Sequence, residues 1–102
     1  MTFHQLKIFG AVAEQASITQ AARKIKISQP SVSKQLRFLE RECGIKLYVK
    51  SGRGIKITEE GRMLHNAAKP ILKQMEELRS SFLTRVSDAR DVALRVGSTP
   101  SP

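Results

Sequence analysis

The sequence predicts a mainly α fold: three short helices, a two-stranded hairpin and one long final helix. Three observations predict it. Apolar residues recur every three to four positions through residues 3–43, as buried helix faces require. The period changes to two in Ile45–Val49 and Gly54–Thr58, as strands require. A 3.5-residue apolar repeat then runs from Leu64 to Phe82.

The first helix is expected from about Phe3 to Glu14. Thr2 caps it, with Gln5 completing a capping box. Leu6, Phe9, Ala13 and Ala16 form its apolar face. Ser17 caps the second helix, with Gln20 three residues on, and Ile18, Ala21, Ala22 and Ile25 face inward. Lys26-Ile27 makes the next turn. Glycine is common in such turns because it takes positive φ freely; here either the turn manages without one or Lys26 bears some strain. Ser28 caps the third helix, and Pro30 stands in its first turn, where a missing N–H costs nothing. Val32, Leu36, Leu39 and Cys43 line its inner face, and Gly44 stops it. The two strands follow, joined through Lys50–Gly54, a glycine-flanked tip that presents Arg53. The unit over residues 1–58 is therefore a winged helix-turn-helix.

Thr58 caps the final helix, and Glu59 and Glu60 suit its positive end. Leu64, Ala68, Ile71, Met75, Leu78 and Phe82 are spaced 4, 3, 4, 3, 4. The first turns can pack on their own domain. At about 1.5 Å per residue the helix outreaches so small a domain, so the stripe over 59–87 is read as a dimerisation surface for a second copy. Pro70 removes the bond to the Asn66 carbonyl, but the stripe stays in phase across it, which predicts a kink and not a break. Val92, Leu94 and Val96 alternate as in a strand, so residues 88–102 are read as a hinge and the start of a further domain.

Charge separates the two halves. The whole chain is +9, and residues 1–57 hold eleven cations against three acids. The excess points to a polyanionic partner for the first half. A lone cysteine, Cys43, excludes an intrachain disulfide and fits a reducing compartment. No apolar run reaches the length of a membrane span, and no signal peptide is apparent, so a cytoplasmic location is expected. His4 and His65 fall in no metal-ligand spacing, and no Gly-rich phosphate loop precedes a helix. No catalytic residue, metal or cofactor is expected in this chain.

What remains is recognition of double-stranded DNA. In a helix-turn-helix the second helix enters the major groove, with its first residues at the base edges. Gln29 can read adenine, and Ser31 and Ser33 can donate or accept. Ser28, Ser31 and the free N–H groups of that turn can bind phosphate. Pro30 offers apolar surface to a thymine methyl. Lys34 suits a guanine edge or a phosphate, and Arg37 a flanking phosphate. Thr19, Gln20 and Arg23 stand near the opposite rim. Lys50, Ser51 and Arg53 of the wing suit the minor groove or nearby phosphates. Lys24, Lys26, Lys46 and Lys56 read as solubility charges. The alternative is an architectural winged-helix protein that binds nucleic acid without sequence preference.

The stretches "QLKIFGAVAEQASITQAARKIKISQPSVSKQLRFLE" and "LERECGIKLYVKSGRGIKITEEG" resemble the N-terminal part of the LysR-type transcriptional regulators. The likeness runs from Phe3 to about Val86. It implies a bacterial regulator whose linker helices pair antiparallel in a dimer, with a C-terminal domain that senses a small molecule. Tetramers are implied for full-length members. It also implies DNA contacts at Gln29, Pro30, Ser31, Ser33, Lys34 and Arg53, with Thr19 and Lys50 near the backbone. Lys34 and Lys50 stand where the family commonly has Arg, and Tyr48 where it commonly has Phe.

Overall fold

A computed structural model describes the backbone of residues 1–95 and the side chains of residues 1–90. The elements run α1 (Phe3–Gln15), α2 (Ile18–Ile25), α3 (Gln29–Cys43), β1 (Tyr48–Ser51), β2 (Gly54–Ile57) and α4 (Glu59–Arg95). They fall in two compact units, one over Met1–Leu72 and one from Lys73 onward.

The caps do what their residue types dictate. Thr2 Oγ1 accepts from Gln5 N at 3.0 Å, and Gln5 Oε1 accepts from Thr2 N at 3.1 Å, a complete capping box. Ser17 accepts from Gln20 N, and Ser28 from Ser31 N, both at 3.2 Å. All three helices end in the left-handed region, at Ala16, Lys26 and Gly44. Only the last is glycine. Lys26, at φ 60°, bears the strain, the second of the two expected outcomes. Ala16, at φ 51°, carries strain that its place on the apolar face of α1 did not suggest. Its N–H closes α1 on the Val12 carbonyl at 2.8 Å, and its own carbonyl accepts from Ile55 N at 3.0 Å. That second bond ties the wing to the α1–α2 turn.

In the first unit, α1, α2 and α3 pack on one another around Ile8, Phe9, Val12, Ala21, Val32, Leu36 and Leu39. Leu47 and Ile55 close this core from the wing side. Leu64 packs against it and Ala68 is buried, so these two positions of the long stripe are used within the chain's own fold. Gly10 lets α4 approach α1: a Cβ there would stand 3.3 Å from Leu72 Cδ1.

The wing differs from its expected form. β1 begins at Tyr48, three residues later than the alternation implied. The preceding groups have other partners: Leu47 N donates to Glu40 Oε2 at 2.8 Å, and the Lys46 carbonyl accepts from Thr58 Oγ1 at 2.6 Å. Thr58 also caps α4, accepting from Gly61 N at 3.0 Å. The register is Tyr48 with Ile57, Val49 with Lys56, Lys50 with Ile55 and Ser51 with Gly54. The tip is therefore Gly52-Arg53 alone, a two-residue loop. Positive φ falls on its first residue only (Gly52, 57°), as in a type II′ turn, which suits the twist of paired strands.

The second unit is helical through Arg95. Val92 and Leu94, read as strand, belong to α4 instead. An alternation over three residues is weak, and Asp88–Arg95 contains no Gly or Pro to stop a helix already under way. Val96 and the following residues, the rest of the expected hinge, lie outside the described residues. α4 is one helix across Pro70, so the proline does not break it.

Candidate nucleic-acid interface

Ser28 and Pro30 start α3 with its first turn exposed. Ser28 Oγ donates to Ser31 Oγ at 2.7 Å while accepting from Ser31 N. The Ser28 hydrogen is thus committed to shaping the turn, while the Ser31 hydroxyl keeps its own hydrogen for an outside acceptor. Gln29, Pro30, Ser31 and Lys34 are exposed and Ser33 is half-buried, because Val32 and Leu36 take the inner face. Lys34 Nζ lies 5.8 Å from the Phe38 ring centroid, one helical turn on, a cation–π contact that restrains a long side chain.

A hollow of about 290 Å³ opens between the start of α3, the start of α2 and the wing. Thr19, Gln29, Lys50 and Arg53 converge on it, with Tyr48, Gly54 and Ile55 behind. The hairpin register explains the convergence. Tyr48 and Lys50 are two apart, so they share a strand face with their partners Ile57 and Ile55. Ile55 is buried, so that face looks toward the helices and carries Lys50 with it. Gln20, Arg23 and Lys34 are exposed but do not line this hollow. Arg37 lines a second group of hollows, further along α3.

Among the described residues the ion pairs are Lys24 with Glu14 at 3.7 Å and the Met1 ammonium with Glu42. Arg23, Lys34, Arg37, Lys50 and Arg53 are in neither, so their charge is uncompensated by any ion pair there. Tyr48 was noted in the sequence only as standing where the family commonly has Phe, yet it lines two of the hollows. Burial first, then the Glu40 carboxylate, raise its phenol above the ordinary 10.0, against an opposing pull from Arg37. The hydroxyl therefore stays protonated at neutral pH and remains a donor. The alternation that put Lys50 beside Tyr48 could have revealed this residue.

A fold of three helices and a wing, with a cationic face at the third helix, defines a winged helix-turn-helix nucleic-acid-binding protein. The chain belongs to the LysR family: the family described as "Bacterial regulatory helix-turn-helix protein, lysR family" matches residues 3–62. The RuBisCO operon transcriptional regulator of Allochromatium vinosum is 39% identical over 85 residues, covering 80% of this chain and 28% of that protein. The probable RuBisCO transcriptional regulator of Thalassiosira pseudonana is 39% identical over 98 residues, covering 96% and 32%. This chain spans about a quarter to a third of the length of such relatives. Among solved structures, the CbnR_DBD–DNA complex is similar with a TM-score of 0.72 and 36% identity, covering 86% of this chain and 99% of that one. The BenM_DBD/catB site 1 DNA complex gives 0.75 and 36%, covering 85% and 96%.

Proposed function

We propose that this chain is the DNA-binding module of a bacterial transcriptional regulator, acting as a homodimer on an inverted-repeat operator. The observation that carries the reading is the convergence of Thr19, Gln29, Lys50 and Arg53 on one hollow beside an exposed polar helix start. α3 enters the major groove. Gln29, Pro30, Ser31, Ser33 and Lys34 face base edges, while Ser28 and Arg37 stand by phosphates. Thr19, Gln20 and Arg23 hold the far rim of the backbone. Lys50 and Arg53 take the adjacent minor groove or backbone. The similarity to two LysR-type DNA complexes supports this placement.

Ile71, Met75, Leu78 and Phe82 remain 51%, 42%, 63% and 60% exposed. Four such side chains on one stripe are the stated dimerisation surface, with Leu64 and Ala68 supporting it from within the fold. Two DNA-reading units then meet half-sites about one helical turn apart. In the intact protein we assign α4 as the linker, followed by a C-terminal domain that binds a small-molecule effector, and tetramer assembly. The chain's role is binding, with no catalysis or resident cofactor, in the cytoplasm. No helix among the described residues is long and apolar enough to cross a membrane.

Selection from a random duplex pool with this chain tests the reading. An enriched inverted repeat is the expected result, with Gln29→Ala relaxing preference at one position of each half-site. A pool that is bound but enriches no motif would establish the architectural alternative instead.

A further inference from the structure

We propose that the C-terminal half of α3 and the approach to β1 form a second phosphate subsite, where Arg37, Arg41 and Lys46 hold a backbone phosphate of duplex DNA. The proposal rests on the DNA-binding reading above and extends the footprint to two residues, Arg41 and Lys46, which that reading left aside.

A hollow of about 380 Å³ lies between these elements, lined by Arg37, Glu40, Arg41, Gly44, Ile45 and Lys46. A neighbouring one of about 420 Å³ shares Arg37, Glu40 and Lys46 with it and continues to Tyr48 and Lys50. Tyr48 and Lys50 also line the hollow at the start of α3. Each hollow therefore shares lining residues with the next, and cations line all three, from Lys50 and Arg53 at the first to Arg37, Arg41 and Lys46 at the last. Gln29 to Arg41 is about 18 Å of helix at 1.5 Å per residue. One strand of B-DNA carries about five phosphates over that distance, at about 3.4 Å each.

The balance of charge selects an anion. Glu40 is the one carboxylate in the lining, and its Oε2 already accepts from Leu47 N at 2.8 Å. Arg37, Arg41 and Lys46 are exposed and take part in no ion pair among the described residues. Two guanidinium groups one turn apart on a helix, facing an ammonium across the gap, suit the tetrahedral array of phosphate oxygens. Arg37 and Arg41 stand on the same helix as the base-reading residues Gln29–Lys34, so the phosphate belongs to the same duplex that α3 reads.

The test compares this chain with Arg41→Gln/Lys46→Gln on a duplex carrying the selected site and on an unrelated duplex, from about 50 to 200 mM salt. The expected result is weaker binding of both duplexes by the same factor, with the selected motif unchanged. The wild-type advantage should shrink about 3.5-fold per lost contact over that salt range. The charge-preserving variant Arg41→Lys/Lys46→Arg should keep the wild-type salt slope, which a merely structural role would not predict. Both residues are exposed, so melting temperatures should match. Unchanged affinity and slope in a folded double variant would overturn the subsite while leaving the parent reading intact. A change confined to the selected duplex would overturn it too, since the residues would then be reading bases. Wild-type chain that binds neither duplex would overturn the parent reading itself.

Discussion

His65 holds an edge-to-face contact with Phe9, with ring centroids 6.3 Å apart, and its Nδ1 is buried without a hydrogen-bond partner. Burial and then the Lys69 ammonium push its pKa below the ordinary 6.5, with Glu14 pulling the other way. The unfolded chain therefore takes up this proton first as pH falls. Stability linked to neutral His65 is complete above pH 6.5 and is lost as pH falls from there through the lower folded value. Urea unfolding between about pH 5 and 8 should show wild type weakening toward acid more than His65→Phe does. Parallel curves would show that this ring is not a proton-linked site. The sequence marked His65 only as a poor metal ligand, because its burial depends on α4 packing over α1. Lys26 was legible as one of two outcomes, since a turn without glycine at that place either avoids positive φ or puts another residue there. Ala16 was not, because nothing in its apolar spacing tells a last helical residue from a cap.

Glu40 sets the geometry of the element that follows it. Its carboxylate holds the Leu47 N–H, and Thr58 holds the Lys46 carbonyl, so the chain entering β1 is pinned from both α3 and α4. A hydrogen bond to a charged acceptor is worth about 1.5–3 kcal/mol, and Glu40→Ala would also orphan a buried-side amide. We expect that variant to lose about 1–3 kcal/mol in thermal unfolding and to bind DNA more weakly through a displaced Lys50 and Arg53. Full stability in Glu40→Ala would mean that core packing of Leu47 alone positions the wing. The strands' existence was legible from alternation, and their limits were not. Alternation describes side-chain faces, whereas pairing depends on where each backbone group finds its partner, and Glu40 lies seven residues away. The end of α4 failed for the opposite reason: three alternating apolar residues outweighed, in the reading, the absence of any helix stop before Arg95.

For the whole molecule, the proposed function divides the work between the apolar stripe for pairing and the cationic face for recognition. Removing Ile71, Met75, Leu78 and Phe82 from water at about 1.5–3 kcal/mol per side chain would supply much of a dimer's stability. Leu78→Glu should shift sedimentation from dimer toward monomer at micromolar concentration, with tight operator binding lost and the fold of residues 1–72 kept. A variant that still sediments as wild type would place the pairing surface elsewhere. The exposed stripe and the charge asymmetry were legible in the sequence, because heptad spacing and charge balance both act over tens of residues. Which side chains share a hollow was less so, since Thr19, Gln29 and Lys50 come together only when the hairpin folds back.

The wing is fastened just before its base at Leu47 and near its tip at Ile55, with Gly52 and Arg53 beyond the second fastening. Ile55 N is bonded to the Ala16 carbonyl and Leu47 N to Glu40, while Gly52 has open space around it and Arg53 is exposed. Residues added between Ser51 and Gly54 would lengthen an exposed loop at a cost that grows only slowly with length, without moving either fastening. Reach along the duplex is thus a tunable length for protein engineering. A longer, more basic insert at this point would widen the footprint, while the base-reading helix keeps its place.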